Sequence, residues 1–267
     1  RTIGIEKLPP AVLRGKQIFY NASDIRMSRD GYLSCAVCHL DGEHDGQVWD
    51  FTDRGEGLRN TTSLRGQGGH ATAPFHWTGN FDEAQDFEND IRAAFGGLGF
   101  MSYADFSAGT RSQPLGDSKT GVSLELDDLS ADLASLVASG RSPRRDGSGA
   151  FTNSAQAGSV LFENLGCQTC HGSDRFTDLV PGSRHDVGTL KTASGQRLGA
   201  PLDGLDTPTL IGLWATAPYL HDGSAKSIKE VLTTANPDGR HGNVSSLSQG
   251  QIDQLADYLL QLEYAPQ

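Results

Sequence analysis

Apolar residues recur at helical spacing in four stretches of the chain. Residues 13–20 follow two prolines, which suit the start of a helix, and residues 157–164 have a similar pattern. Residues 124–139 and 248–262 each carry a stripe of leucine and other apolar residues, and the later stretch opens with a Ser-x-x-Gln capping box. The pattern therefore predicts an all-α fold with one pair of helices in each half.

Each half also contains the pentapeptide Cys-x-x-Cys-His. This is the attachment signature of c-type haem, in which two thiols bond to the haem vinyl groups and the histidine binds the iron. A thioredoxin-like site would need a βαβ context, and a zinc site would need four ligands from nearby pairs. We therefore predict two covalent haems. The attachment residues are Cys35, Cys38, Cys167 and Cys170, which are all the cysteines of the chain, and the proximal iron ligands are His39 and His171.

The similarity between the halves extends beyond the haem motifs. Residues 60–66 resemble residues 206–212, and residues 71–79 share A-T-A-P-aromatic-x-x-x-G with residues 215–223. A polar, glycine-rich connector, residues 140–149, separates the halves. We predict an internal duplication. The expected cytochrome c-like domains are residues 1–143 and residues 144–267.

The same register shows where the halves differ. His76 corresponds to Leu220, and Trp77 corresponds to His221. Because the sixth ligand and the surroundings of a haem set its reactivity, such differences are where two haems would acquire different roles.

The composition of the chain bears on its cellular compartment and on the kind of partner that it binds. The chain has 267 residues, of which 36% are hydrophobic, and buried porphyrin would supply apolar core that the side chains do not. A net charge of −11 disfavours nucleic acid and suits a small redox protein, a cytochrome or cupredoxin, although acidity also simply favours solubility. The sequence contains no run of eighteen apolar residues, so it predicts no membrane span. Since bacteria attach c-type haem outside the cytoplasm, we expect a periplasmic or extracellular protein, either a processed chain or a domain of a longer secreted one.

The order of these motifs resembles the bacterial dihaem cytochrome c peroxidases and MauG-like enzymes over nearly the whole chain. After the haem motifs, the most specific segment is Thr216–Ser224, which reads T-A-P-Y-L-H-D-G-S. The resemblance implies that peroxide reacts at the N-terminal haem, that electrons enter through the C-terminal haem, and that Trp77 lies between them. It also implies a calcium ion at the domain interface, whose ligands would be Asn60, Thr216 and Pro218.

The sixth iron ligand of the second haem is predicted from the segment beyond the T-A-P motif. His241 is the strong ligand available there, although a surface position in the loop is the alternative. His185 competes with it, but the resemblance favours a hydrogen-bonding role for His185 near the haem.

The first haem lacks the groups that the resemblance leads one to expect. Peroxidases of this family carry a distal histidine and a later glutamate, and neither has an equivalent in this sequence. His76 could bind the iron or act as the acid-base group, Met101 could bind the iron or pack in the core, and the acidic stretch 81–90 could supply a carboxylate. His44 and His70 are interpreted as loop residues.

Two functions therefore remain open from the sequence. In the first, the protein is a dihaem oxidoreductase that reduces H₂O₂ or another oxidant at the first haem. In the second, it is an electron carrier whose two irons are both six-coordinate.

Overall fold

The computed structural model describes residues 6–66, 74–178, 180 and 182–264. The fold is mostly helical and also contains two short antiparallel hairpins, which the helical pattern does not predict. The helices are α1 Pro10–Tyr20, α2 Cys35–Cys38, α3 Phe87–Ala93, α4 Tyr103–Phe106, α5 Leu124–Ser135, α6 Asn153–Asn164, α7 Ile228–Leu232 and α8 Gln249–Leu259. The strands are β1 Val48–Phe51, β2 Gly57–Asn60, β3 Gln196–Arg197 and β4 Ala200–Pro201.

A glycine allows the two long helices of each half to cross closely. A Cβ atom on Gly15 of α1 would lie 1.9 Å from the carbonyl oxygen of Asp128 in α5. A Cβ atom on Gly158 of α6 would lie 2.0 Å from the carbonyl oxygen of Gln254 in α8. Four residues after each glycine, Phe19 and Phe162 are buried. The halves thus share the same helix-crossing device.

Hydrogen bonds outside the helices set two of the helix ends. Helix α5 ends at Ser135, four residues before the predicted end, because the Leu136 carbonyl accepts the Gly66 N–H at 2.9 Å. Ser139 then donates its N–H to the Tyr264 carbonyl at 3.1 Å. At the start of α8, Ser248 forms the expected capping box with the third residue of the helix.

The turns that follow residues 75 and 219 have the same geometry. An isolated antiparallel bridge closes each turn, between Phe75 and Phe81 in the first half and between Tyr219 and Ala225 in the second. The residue after Phe75 and the residue after Tyr219 both have a left-handed backbone conformation, with φ of 67° at His76 and 70° at Leu220. Left-handed backbone is uncommon outside glycine, so its occurrence at corresponding positions is a specific similarity between the halves.

The two halves meet through reciprocal backbone bonds. Asn60, at the end of β2, donates its N–H to the His221 carbonyl at 2.6 Å, and Asp206 donates its N–H to the Trp77 carbonyl at 2.8 Å. Asn60 corresponds to Asp206 in the sequence register, and Trp77 corresponds to His221. On the second hairpin, Arg197 donates to the carbonyls that directly follow Trp77, at 2.7 and 2.8 Å. The contact between halves is therefore built around Trp77 and Asn60.

The main apolar core lies in the second half, around α6, α7 and α8. A smaller cluster in the first half surrounds the completely buried Met27. Among the residues that the structure describes, no helix is long and apolar enough to cross a membrane.

Replacing Gly158 with alanine should destabilise the protein by about 1–3 kcal/mol, because the new methyl group would press on the backbone of α8. Chemical denaturation of the haem-loaded protein measures this change. Gly250→Ala is the matched control, since a Cβ atom at that helical position meets nothing within 4 Å. The control should be neutral or stabilising by up to about 1 kcal/mol. Equal stability of the two variants would show that α6 and α8 do not need the glycine.

Candidate functional site

Both Cys-x-x-Cys-His motifs form a single helical turn. The His39 N–H donates to the Cys35 carbonyl at 3.0 Å, and the His171 N–H donates to the Cys167 carbonyl at the same distance. One turn brings two thiols and an imidazole together, as attachment to one planar group requires. Burial raises the pKa of Cys35 to about 12 and that of Cys38 to about 11. Redox-active and metal-binding cysteines need a lowered pKa instead.

The second motif opens into a cavity of about 280 Å³ with a largely apolar lining. Cys167, Cys170, His171 and His241 all line it. The rings of His171 and His241 lie with centroids 6.4 Å apart and planes inclined by 40°. Two imidazoles that bind one metal ion from opposite sides, each at about 2 Å, would have centroids about 6 Å apart. The structure therefore brings the rings of His171 and His241 to a separation that two imidazole ligands of one metal ion would have.

The protonation of both rings suits iron binding. His171 donates its Nδ1–H to the Phe176 carbonyl at 2.8 Å, which leaves Nε2 with its lone pair. Burial lowers the pKa of His171 to about 4 and also lowers the pKa of His241. Both imidazoles are thus neutral at pH 7, the form that binds metal.

The loop that carries His241 is held by Asn236. The His241 N–H donates to Asn236 Oδ1 at 2.9 Å, and Asn236 Nδ2 donates to the Gly242 carbonyl at 2.8 Å. His185 also lines the cavity, but its Nε2 is bonded to the Asp178 carboxylate at 2.9 Å. This is the hydrogen-bonding arrangement that the sequence suggests for His185, and it leaves His241 as the ring that faces His171.

The first motif lies beside a smaller cavity, of about 90 Å³. His39, His76 and Trp77 line one part of it, and residues 206–209 of the second half line another part. Burial lowers the pKa of His39 to about 4, and its Nδ1 has no hydrogen-bond partner among the described residues. His39 and His76 do not form the close ring pair that His171 and His241 form.

Hydrogen bonds fix the orientation and tautomer of His76. Its Nδ1 lies 2.7 Å from Asn80 Oδ1, and Asn80 Nδ2 donates to Glu56 at 2.9 Å. Because Asn80 uses its amide N–H on Glu56, its oxygen accepts, and His76 therefore carries its proton on Nδ1. The ring also packs on Phe81 and Phe87, with centroids 4.8 and 5.1 Å away. Nε2 is left as the basic atom.

One carboxylate of the acidic stretch 81–90 lies close enough to His76 to affect it electrostatically, although it lines neither cavity. Asp90 interacts electrostatically with His76, and burial raises the pKa of Asp90. Three of the other four acidic residues there have structural partners. Glu83 accepts hydrogen bonds from residues 118–120, Asp86 pairs with the buried Lys119, and Glu88 accepts the N–H groups of Phe100 and Met101.

Met101 lies in the first apolar cluster, with Met27, Ile91, Phe100 and Leu126. It is not among the residues that line the cavity shared by His39 and His76. His44 bonds across the halves to the Ala215 carbonyl. His70 lies outside the described residues. Of the candidates for the first haem, the structure therefore brings His76, but not Met101, to the cavity.

Trp77 is the aromatic residue that lines both cavities. Its Nε1–H donates to the Asn60 carbonyl at 2.8 Å. The ring of the completely buried His221 lies 6.4 Å from the Trp77 ring and bonds to Ser194 Oγ at 2.7 Å. Trp77 thus connects the two candidate haem sites.

The residues proposed for calcium also come together. Asn60 Nδ2 lies 2.6 Å from the Pro218 carbonyl oxygen, while the buried Asn60 Oδ1 has no partner among the described residues. An amide oxygen and nearby carbonyl oxygens are ligand types that Ca²⁺ takes. The fit is partial, because the Asn60 amide must turn before its oxygen lies beside that of Pro218.

Sequence reasoning missed Asn80 and Asp206. Asn80 follows His76 by four residues in a turn, and only the folded turn brings the two side chains together. Asp206 lines both cavities. The repeat that pairs Asp206 with Asn60 could have indicated it.

Comparison with known proteins agrees with this architecture. The family model for RoxA-like, cytochrome c-like proteins matches residues 204–240. The chain is 28% identical to hydrazine synthase subunit gamma of Kuenenia stuttgartiensis, over 90% of this chain and 75% of that protein. It is 29% identical to methylamine utilization protein MauG of Methylorubrum extorquens, over 84% of this chain and 68% of that protein. The chain is therefore similar to the MauG-like dihaem cytochromes.

A solved structure of Kuenenia stuttgartiensis hydrazine synthase, pressurised with xenon, superposes on this MauG-like cytochrome with a TM-score of 0.71. The alignment covers 96% of this chain and 89% of that chain at 24% identity. The superposition shows a common fold, which is cytochrome c-like and mostly helical. Similarity to these cytochrome c-like proteins implies that the chain carries c-type haem.

Proposed function

We propose that this MauG-like cytochrome is a periplasmic or extracellular dihaem oxidoreductase that moves electrons from its second haem to its first, where it reduces H₂O₂. The observation that carries the proposal is the difference between the two cavities. A second imidazole faces His171 at 6.4 Å, whereas His76 shares a cavity with His39 without forming such a pair. One site is arranged for electron transfer and the other for reaction.

Each half would hold one haem. Cys35, Cys38 and His39 would bind the first, and Cys167, Cys170 and His171 would bind the second. When bound, c-type haem supplies one-electron redox chemistry and an iron site at which peroxide can react. The proposal that the halves are duplicated domains, 1–143 and 144–267, rests on the matching glycines, turns and interface bonds.

At the second site, His171 and His241 would together hold the haem iron. Two imidazole ligands leave no position for a substrate, so this site would conduct electrons. The large apolar cavity and the neutral state of both rings support this role.

At the first site, His76 would transfer protons. Reduction of H₂O₂ to two water molecules consumes two electrons and two protons, so the site needs a group that exchanges protons at the cavity. His76 has a fixed proton on Nδ1 and a basic Nε2, and Asp90 lies near it. Together they would replace the distal histidine and glutamate that this sequence lacks.

Trp77 would carry electrons between the sites, since it lines both cavities. The electrons would come from a small redox protein, a cytochrome or cupredoxin, which suits the net charge of −11. A calcium ion bound by Asn60 Oδ1 and the carbonyls of Thr216 and Pro218 would stabilise the interface beside Trp77.

The second candidate function is electron carriage without catalysis. The small volume of the first cavity, about 90 Å³ against about 280 Å³ for the second, favours it. In that case His76 would bind the first iron directly, and both irons would be six-coordinate.

Electron paramagnetic resonance of the oxidised protein separates the two functions. A high-spin ferric signal that cyanide or peroxide changes is expected if the first haem is open. His76→Ala should then slow the reaction with peroxide by about 10²–10⁴-fold, the usual effect of losing an acid-base group. His44→Ala, a histidine outside both cavities, is the control and should keep the rate. Two low-spin signals that neither ligand changes would establish the carrier.

His241→Ala should convert one low-spin haem to high-spin, because the ring opposite His171 is removed. Absorption and resonance spectra measure the conversion, and added imidazole should reverse it. His185→Ala is the control, since its Nε2 is already bonded to Asp178, and it should leave the spectrum unchanged. An unchanged spectrum in His241→Ala would exclude this ligand.

Trp77→Phe should slow electron transfer between the haems and leave both haems bound, because the indole that lines both cavities is replaced by a smaller ring. Rapid-mixing kinetics that follow each haem separately give the rate. Trp49→Phe, on the exposed first hairpin, should match the parent protein. Equal rates in both variants would mean that Trp77 is structural only.

A further inference from the structure

Asp206 lies where the two cavities approach each other, since it lines both of them. Among the described residues, each cavity is lined by a single acidic residue, and in both cavities that residue is Asp206. Its N–H donates to the Trp77 carbonyl at 2.8 Å, which fixes its backbone beside the residue that connects the sites. A charge on Asp206 would therefore act on both sites at once.

The corresponding residue of the first half is uncharged. Asn60 makes the same backbone bond to the other half, and its amide group is engaged by the Pro218 carbonyl. The Asp206 carboxyl group accepts no hydrogen bond from the described residues. The duplicated position thus carries an amide in one half and an ionisable group without a donor in the other.

The charged groups around Asp206 do little to stabilise its anion. Asp178 repels it, while Arg184 attracts it but forms a two-pronged bond to Asp203 at 2.9 and 3.0 Å. Burial, the largest cause, raises the pKa of Asp206 to about 8. Asp178 differs, because bonds from His185 and Thr207 contribute to lowering its pKa.

Most of the other titratable and charged groups nearby are neutral at pH 7 or have a hydrogen-bond partner. His39 and His171 are neutral at pH 7, and His76 has its Nδ1 proton fixed by Asn80. Arg197, on the second hairpin, donates to the carbonyls of residues 78 and 79. Asp206 is therefore the carboxyl group at this junction that can change charge near neutral pH, while Nε2 of His76 is the basic atom of the smaller cavity.

We propose that Asp206 is the proton-accepting group coupled to electron transfer between the two haems. The inference rests on the proposed function, since it requires two haems. When a one-electron donor adds an electron to the pair, a proton from solvent binds to the Asp206 carboxylate, and the proton leaves when the electron leaves. No other bond is made or broken, and the net charge of the buried region stays constant.

The direction of the pH dependence follows from this coupling. Added negative charge favours the protonated carboxyl, so the pKa of Asp206 is higher in the reduced protein than in the oxidised protein. Reduction then takes up a proton between those two pKa values. The midpoint potential of the coupled haem therefore falls as the pH rises through that range.

Redox titration of the haem-loaded protein across a pH series tests the proposal. The parent protein should show a falling midpoint potential for at least one haem, and Asp206→Asn should flatten that dependence. Asp30→Asn, which removes an exposed carboxylate outside both cavities, should keep the parent slope. The proposal would be overturned if the midpoint potential of Asp206→Asn kept the pH dependence of the parent protein, or if the midpoint potentials of the parent protein did not change with pH.

A second measurement does not depend on the folding of the variant. Infrared difference spectra of the parent protein, reduced minus oxidised, should show a protonated carboxyl band that shifts in D₂O; its absence would also overturn the proposal. Failure of the Asp206 proposal is distinguishable from failure of the proposed function. The reaction with peroxide and the effect of His241→Ala test the haem sites without reference to Asp206.

Discussion

The contact between the two halves depends on the hydrogen bonds of one residue, Asn60. Its N–H, carbonyl and side-chain amide bond to His221, Trp77 and Pro218, respectively. Two of these bonds reach the other half, and the third holds the indole that lines both cavities. Because buried backbone groups need partners, the segments that contain Trp77 and His221 cannot move apart without leaving such groups unpaired. These bonds thereby help to fix the distance between the candidate haem sites.

On this shared scaffold, the two cavities differ through a few side chains. The turn after residue 75 presents His76, whereas the same left-handed turn after residue 219 presents Leu220. The loop beyond α7 brings His241 opposite His171, while the corresponding segment of the first half buries Met101 in apolar core. Each difference is local, because the backbone bonds that fix the turns recur in both halves. Divergence of this kind can separate an electron-transfer site from a reactive one without disturbing the fold.

Much of this could be predicted from the sequence. The haem motifs, the helix pairs and the register of the repeat follow from local spacing, and spacing survives folding. The hairpins were missed because short strands lack a long alternating pattern, and α5 ends early because distant backbone groups compete for its last carbonyls. Asn80 could not be predicted for a similar reason, and within the acidic stretch 81–90 the sequence did not single out Asp90. Their roles come from contacts made in a folded turn and across a short helix, which residue type alone does not specify.

The interface also shows how a buried charge can be tolerated in a redox protein. An ionised carboxylate without donors is costly in a medium of low dielectric constant, so such a group is normally replaced or paired. Asp178 is paired with His185 and Thr207, and Asn60 cannot ionise, yet Asp206 at the position equivalent to Asn60 can ionise and has no hydrogen-bond donor among the described residues. Electron transfer supplies a compensating reason to retain it, because a carboxyl group that gains a proton as an electron arrives keeps the local charge constant. A neutral amide at that position would preserve the backbone bond to Trp77 but could not offset the charge.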